Sequence, residues 1–144
     1  SSSYVGIICD GIHVANDMFT LALRARPEPN LTFLVSDAMP TIGGPPQFDL
    51  YGENIKLDQG RLINAEGSLA GAHTTLAAGI RRLVSNLNIP VQTALKMAIS
   101  VPCAVMGLDL DRLQSQRIDA LIHLNAQGGY AGPVSKISPP KKTR

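Results

Sequence analysis

Two polar segments near the start of the chain each follow an apolar run, and their side chains could move protons. The run Val5–Cys9 leads into Asp10–His13. The run Leu31–Val35 leads into a segment that holds Asp37. Carboxylates and imidazoles are common general acids and bases. Parallel α/β folds, barrels among them, build their sites just past the carboxyl ends of strands. The pattern therefore predicts an enzyme site that contains His13 and Asp37.

The elements that must position these groups form one unit. An apolar-periodic stretch, Ala15–Ala25, lies between the two runs and predicts a helix, which Pro27 and Pro29 stop. The unit is therefore strand, helix, strand, with the short connections that such units need.

The rest of the chain predicts small strands first and helices afterwards. Turn-forming residues at 40–72 separate short alternating runs, which are typical of antiparallel strands, and later apolar spacing at helical period predicts two helices. The alternating runs are Phe48–Tyr51, Asn54–Leu57 and Arg61–Ile63. The predicted helices are Thr74–Leu87 and Val91–Ser100, with a further short turn after Pro102. Ile118–Leu124 alternates like one more strand.

Composition narrows the class of protein. With 144 residues, 44% of them hydrophobic, and a mean hydropathy of +0.09, the chain has the composition of a globular protein. A complete (β/α)8 barrel takes about 250 residues, so barrel material of this length would be incomplete. The net charge of +2, part of it in the tail Lys141–Arg144, does not favour nucleic acid as a partner.

The cysteines and the lengths of the apolar runs indicate the cellular compartment. Cys9 and Cys103 both lie in apolar runs, so we expect buried free thiols in a reducing cytoplasm. No apolar run reaches the roughly 18 residues of a membrane span, and the first residues do not have the pattern of a secretory leader. We therefore expect a cytoplasmic protein without a membrane partner.

Three segments together resemble the N-acetylglucosamine-6-phosphate deacetylases of the amidohydrolase superfamily. They are Asp10–Val14, Val35–Met39, and Gly67–Gly71, which leads into a helix. Their order and spacing agree with the family, and Thr93–Ala104 adds support. The resemblance covers residues 5–108 and implies the C-terminal part of the family's fold. That fold is α/β: the C-terminal portion of a TIM-type (β/α)8 barrel with a small antiparallel β insertion and two following helices.

The resemblance also implies how the chain is divided. Residues 4–39 would be the last two barrel strands with their connecting helix, and residues 40–72 a small β region with a substrate loop. Residues 73–113 would be the C-terminal helices, and residues 114–144 a terminal strand and a disordered tail.

The same resemblance implies site residues. In the family a metal activates water, and an aspartate past the last barrel strand acts as general base and then acid while the acetamide is cleaved. Asp37 matches that aspartate. The resemblance implies that the substrate is bound by Asp10, Gly11, Ile12, His13, Leu69, Ala70 and Gly71, the last three forming a loop along the sugar. From the residues alone, Asp37 could instead cap its turn, His13 could bond nearby backbone, and 69–71 could be a linker.

Cofactor and partners follow from the resemblance as well. It implies a divalent metal, zinc or iron, in the complete enzyme, a phosphorylated N-acetyl amino sugar as substrate, and a homodimer. The family's metal ligands, a glutamate and two histidines, lie upstream of this sequence. His13, His73 and His123 do not have the spacing of a metal site. We therefore expect the chain alone to bind no catalytic metal tightly and to be inactive.

Departures from the family and two other interpretations remain. Ala72–His73 stands where the family usually has a serine. We expect His73 near the start of a helix and His123 on an exposed strand.

A noncatalytic half-barrel could instead assemble through the strand edge at residues 5–9. A small module could bind phosphate at Gly43–Gly44, although Pro45 and Pro46 after it lack N–H groups.

Overall fold

Two parallel strands and a connecting helix open the fold. The computed structural model describes residues 3–26, 28–111 and 121–134. In it, β1 (Val5–Ile8), α1 (Asn16–Ala25) and β2 (Thr32–Val35) follow one another, with a 3-10 turn at Pro29–Leu31. Val5 lies opposite Thr32 and Ile8 opposite Val35 in the parallel pair. The predicted strand, helix, strand unit is confirmed, and both strands end at the same edge.

A four-stranded antiparallel sheet follows. Its strands, in spatial and chain order, are β3 (Gln47–Leu50), β4 (Glu53–Asp58), β5 (Arg61–Ile63) and β6 (Leu69–Ala72). The first two hairpins turn on the pairs Tyr51–Gly52 and Gln59–Gly60, whose φ angles are all positive. Such two-residue turns match the twist of antiparallel strands. The three strands predicted from the turn residues are confirmed.

The strand β6 corrects the prediction of a loop at residues 69–71. Asn64 folds the chain back: its side-chain oxygen accepts hydrogen bonds from the backbone N–H of Glu66 and Ser68, at 3.2 and 2.9 Å. Leu69 then lies opposite Ile63 on β5. Alanine and glycine are poor strand formers, which is why the sequence Leu-Ala-Gly-Ala does not predict a strand. The turn, not the propensity, determines the pairing.

The C-terminal helices run further than predicted. They are α2 (Leu76–Leu87), α3 (Val91–Leu95), a π-helical turn (Lys96–Ser100) and α4 (Val101–Val105). The helix predicted to end at Ser100 in fact continues into α4. The N–H of Val101 donates to the carbonyl of Lys96, five residues back, and Pro102 falls in the first turn of α4, where a missing N–H is tolerated.

The core lies where α2 packs on the parallel strands. Its buried residues come from β2, from the residue after β1 and from four helical segments: Cys9, Phe19, Leu34, Ile80, Leu83, Ala94 and Met97. Gly79 faces the strands, because a Cβ built there would lie 3.5 Å from Cδ1 of Leu34 and 3.8 Å from Cβ of Cys9. The antiparallel sheet buries its own residues, chiefly Ile55 and Leu62.

A last hairpin packs on α2. It consists of β7 (Ile122–Leu124) and β8 (Tyr130–Pro133), and a Cβ built on Gly128 in its turn would lie 2.9 Å from the Ile80 side chain. The predicted strand at 118–124 is thus observed from Ile122, and residues 118–120 lie outside the described residues. The prediction of a disordered tail directly after this strand is wrong for residues 125–134, which form the hairpin turn and β8, because β8 pairs with β7. Residues 135–144 lie outside the described residues. His123 is exposed on β7, as predicted. Within the described segments, no helix has the length and apolar character to span a membrane.

Candidate active site

Asp10 and His13 form a hydrogen-bonded turn directly after β1. One carboxylate oxygen of Asp10, Oδ1, accepts from the backbone N–H groups of Ile12 and His13, both at 2.9 Å. The other, Oδ2, lies 2.7 Å from Nδ1 of the His13 ring. Gly11 has a φ of +75°, which the tight turn requires and which glycine adopts readily. Both oxygens of Asp10 are therefore used inside the turn.

This pair sets which nitrogen of His13 carries a proton. The side chain of Asp10 is 7% exposed and that of His13 is 19% exposed. Burial alone would raise the pKa of Asp10, but the hydrogen bonds from His13 and from the backbone of Ile12 outweigh it, so that the pKa lies below its ordinary value. An ionised carboxylate only accepts, so Nδ1 of His13 donates to it. The neutral ring then offers Nε2 as an acceptor, and the charged ring offers it as a donor.

Asp37 follows β2 in a left-handed backbone conformation. Its φ is +49°, a region that aspartate and asparagine tolerate better than most residues. The carbonyl of Asp37 accepts from the N–H of Ala72 at 2.8 Å, and the carbonyl of Ala72 accepts from the N–H of Met39 at 3.2 Å. Neighbouring structure therefore holds this conformation, as is common at functional sites.

The carboxylate of Asp37 is exposed and does not cap its own turn. In that turn, the side-chain oxygen of Ser36 accepts from the N–H of Ala38 at 3.4 Å. Among the described residues, no hydrogen bond to the Asp37 carboxylate is found. The simpler interpretation, in which Asp37 caps the turn, is therefore not supported by the geometry.

The strand β6 lies against the segment after β2. A Cβ built on Gly71 would lie 2.3 Å from Cγ of Met39 and 3.4 Å from the carbonyl oxygen of Asp37. Only a glycine allows this approach, which places the edge of β6 beside Asp37. Leu69 is exposed and Ala70 is half-buried. Residues 69–71 are thus near Asp37 as the resemblance implies, but as a strand.

The antiparallel sheet also reaches the turn after β1. A Cβ built on Gly60, at the β4–β5 turn, would lie 4.0 Å from Cδ1 of Ile12. The sheet therefore borders the segments after both parallel strands. Since β1 and β2 are parallel, the segments with His13 and Asp37 leave the same edge, as predicted.

One contact at this edge was missed by sequence reasoning. Nδ1 of His73 lies 2.8 Å from the hydroxyl of Thr41, which is buried. The two residues are 32 positions apart, and no local pattern links them. His73 precedes α2, whose N-cap is Thr75, so its predicted place near a helix start is confirmed. The contact ties the turn after Met39 to the start of α2.

Two other candidate chemistries find little support. Gly44 donates its N–H back to the carbonyl of Thr41 at 3.4 Å, and the chain continues into a strand, so Gly43–Gly44 does not open a helix for phosphate. Cys9 and Cys103 are free and buried, and burial raises the pKa of the Cys9 thiol to about 11. A thiol of this kind is a poor nucleophile at neutral pH.

The described residues do not make a metal site by themselves. In the three described ranges, no group of three histidine, cysteine, aspartate or glutamate side chains lies close enough to hold an ion. A metal at this edge would need ligands from elsewhere.

Comparison with known proteins identifies relatives of the chain. No protein-family model matches it. An N-acetylglucosamine-6-phosphate deacetylase of Haemophilus influenzae is 30% identical over 118 residues, which cover 80% of this chain and 30% of that protein. The deacetylase of the same name from Vibrio furnissii is 32% identical over 106 residues, covering 73% and 26%. The chain is a relative of these sugar-phosphate deacetylases. The resemblance predicted from the sequence is confirmed.

Solved structures agree with this relationship. The crystal structure of the Pasteurella multocida N-acetylglucosamine-6-phosphate deacetylase superposes with a TM-score of 0.71 at 27% identity, over 76% of this chain and 29% of that one. The Mycobacterium smegmatis enzyme in complex with N-acetyl-D-glucosamine-6-phosphate gives 0.74 at 24% identity, which shows a shared fold. The chain spans about a third of the length of these proteins.

Proposed function

We propose that this chain is the part of a metal-dependent deacetylase that carries its proton-transferring aspartate. The reaction would convert N-acetylglucosamine 6-phosphate and water to glucosamine 6-phosphate and acetate. The observation that carries the proposal is the exposed Asp37 carboxylate, fixed beside β6 at the end of β2, in a chain related to enzymes of that name.

The proposed architecture places the chain in a barrel. The units β1–α1 and β2–α2 would be the last two of a (β/α)8 barrel, and residues 40–72 an insertion over its carboxyl-end face. Closing a barrel takes about eight strands, so the remaining strands would come from another part of the protein. By the same family relationship, we propose a cytoplasmic homodimer.

Asp37 would transfer the proton that the reaction moves. Its carboxylate takes a proton from the water whose oxygen attacks the acetyl carbon. As the carbon–nitrogen bond breaks, the same group gives that proton to the departing amine of the sugar. The exposed carboxylate accepts no hydrogen bond from the described residues, which leaves it free for both steps. The divalent metal that the family implies, zinc or iron, would have to be held by other residues and would activate the attacking water.

His13 would contact the substrate through Nε2. Because Asp10 accepts the proton of Nδ1, the charged ring can donate to the acetyl carbonyl oxygen and the neutral ring can accept from a sugar hydroxyl. Gly11 and Ile12 would line the pocket on this side, and Leu69, Ala70 and Gly71 on the side of β6. Asp10, with both oxygens occupied, would act through His13 rather than on the sugar.

The test is made in the full open reading frame that encodes this chain. Purified protein is assayed for acetate release from N-acetylglucosamine 6-phosphate and from N-acetylgalactosamine 6-phosphate, since related deacetylases carry both names. We expect Asp37→Asn to lower kcat by about 10²- to 10⁴-fold with little change in KM. Asparagine keeps the left-handed backbone accessible, so the loss would report the carboxylate.

Asp58→Asn is the matched control, because Asp58 is an exposed aspartate at the end of β4. Full activity of D37N would contradict the assignment of Asp37. Inactivity of the whole reading frame on both sugars would favour the second candidate, a noncatalytic assembly module. The observation behind that candidate is β1, which pairs only with β2 among the described residues and so has an open edge.

A further inference from the structure

Arg82 on α2 lies against the turn that carries Asp10 and His13. Its Nε and Nη2 atoms both donate to the side-chain oxygen of Asn16, at 3.1 and 3.0 Å. Asn16 is the first residue of α1, just after the turn. A Cβ built on Gly11 would lie 1.8 Å from Nη2 of Arg82, so the guanidinium fills the space beside that glycine. One side chain therefore contacts both ends of the segment 11–16.

The chemistry of this contact differs from that of the Asp10–His13 pair. The guanidinium stays charged at all ordinary pH values, and the amide of Asn16 does not titrate. The link from Arg82 to Asn16 is thus constant with pH, whereas the pair inside the turn can change its protonation. Arg82 is half-buried on a helix anchored in the core, with Leu83 fully buried next to it. The contact therefore connects the turn to a rigid part of the fold.

The turn needs such a support. The turn lies between β1 and α1, and the Asp10 carboxylate is the acceptor of its hydrogen bonds from Ile12 and His13. If Gly11 and Asn16 moved apart, the carboxylate would lose its alignment with the His13 ring, since a hydrogen bond weakens steeply with angle. Arg82 opposes that movement from outside the turn.

We propose that Arg82 is a positioning residue that holds Gly11 and Asn16 and thereby fixes the proton of His13 on Nδ1. The inference deepens the proposed function, on which its catalytic meaning rests, because His13 would present Nε2 to the sugar. The geometric part of the inference concerns this chain alone and is tested without an activity assay.

The experiment uses the 144-residue chain labelled with ¹⁵N, in which long-range ¹H–¹⁵N spectra show the protonated nitrogen of each of the three histidines. His73→Gln and His123→Gln assign the signals. In the neutral ring we expect Arg82→Gln to lower the ratio of Nδ1–H to Nε2–H at His13 about fivefold, the loss expected for one hydrogen bond. Arg81→Gln makes the same charge change on the exposed neighbouring residue and should leave the ratio unchanged.

Asn16→Ala provides the second variant, because it removes the acceptor and keeps the guanidinium. It should change the ratio as R82Q does, and the double variant should change it no further. Folded R82Q or N16A with the wild-type ratio would overturn the inference; if R82Q does not fold, N16A decides. A changed ratio together with an inactive full reading frame would contradict the proposed function and leave this inference standing. An active enzyme with an unchanged ratio would contradict the inference about Arg82 and leave the proposed function standing.

Discussion

Asp10 and Asp37 each follow a strand of the same parallel pair, yet their surroundings give them opposite properties. The carboxylate of Asp10 is buried and accepts three hydrogen bonds from its own turn. The carboxylate of Asp37 is exposed. Environments that separate two carboxyl groups in this way also separate their roles. These surroundings agree with the proposed roles, in which Asp10 holds the His13 ring and Asp37 transfers the proton.

The residue-scale prediction concerns Asp10→Asn. Asparagine can still accept from the backbone of Ile12 and His13, but its NH₂ group can pair only with an unprotonated Nδ1. We expect a loss of about 1 to 3 kcal/mol in the free energy of unfolding at neutral pH. The pKa of Asp10 is lower in the folded state than in the unfolded chain. The charged carboxylate therefore adds to the free energy of unfolding above its ordinary pKa of about 3.9, and this addition is lost as pH falls through the folded-state pKa.

Urea unfolding of the wild type and of D10N between about pH 7 and pH 3 measures this, and the difference in the free energy of unfolding between them should narrow toward the acid end. Asp58→Asn, the same substitution at an exposed site, is the control. A D10N gap of the same size at both ends of the range would refute the assignment of its cause to the carboxylate.

At the scale of elements, α2 contacts the parallel strands, α1, α3 and the last hairpin. Gly79 faces Cys9 and Leu34, while Ile80 contacts the hairpin β7–β8 near Gly128. Three residues after Gly79, Arg82 contacts the turn after β1. Small and large residues on one helix therefore set the distances to a strand pair, a hairpin and the turn after β1.

We expect Gly79→Ala to stabilise the protein. The added methyl group would lie 3.5 to 3.9 Å from its nearest neighbours, which is ordinary contact, and Gly79 is in a helix with a negative φ. Alanine is favoured over glycine inside a helix by about 0.5 to 1 kcal/mol. A higher midpoint in thermal or urea unfolding is the expected readout. The larger Gly79→Val should lower that midpoint by overpacking, and equal destabilisation by both would contradict the spacing described.

At the scale of the whole molecule, ionisation of the Cys9 thiol is coupled to unfolding of the core. It is 4% exposed in the cluster that joins β1, β2, α1 and α2, and burial raises its pKa from 9.0 to about 11. Since the folded-state pKa is raised, the thiol's contribution is complete below pH 9.0 and is lost as pH rises toward about 11, where the unfolded chain is already ionised.

Urea unfolding at pH 8 to 11 therefore should show a wild type that loses about 1 to 3 kcal/mol more than Cys9→Ala does over that range. The variant will be less stable at neutral pH because it leaves a small cavity. If the free energy of unfolding changed equally with pH in the wild type and in Cys9→Ala, the thiol would not ionise on unfolding in this range.

Sequence reasoning reached those parts of the fold that local patterns determine. Alternating and periodic runs gave the strand, helix, strand unit, and turn residues gave the three strands β3 to β5. The strand β6 was missed because Leu69–Ala72 has little strand propensity and pairs only after the turn at Asn64. The contacts of Thr41 with His73 and of Arg82 with Asn16 join residues 32 and 66 positions apart, and no local pattern carries such information.

The π-helical turn shifts the phase of the last helical segment without breaking the helix. In a regular α-helix each residue adds about 100°, whereas the wider turn at Lys96–Ser100 rotates less per residue. Residues after the turn therefore lie on the order of 100° from where an unbroken α-helix would place them. Buried residues occur up to and beyond this shift, Ala94 and Met97 first and then Val101 and Cys103. The segment therefore buries more than one side of the helix along a continuous backbone.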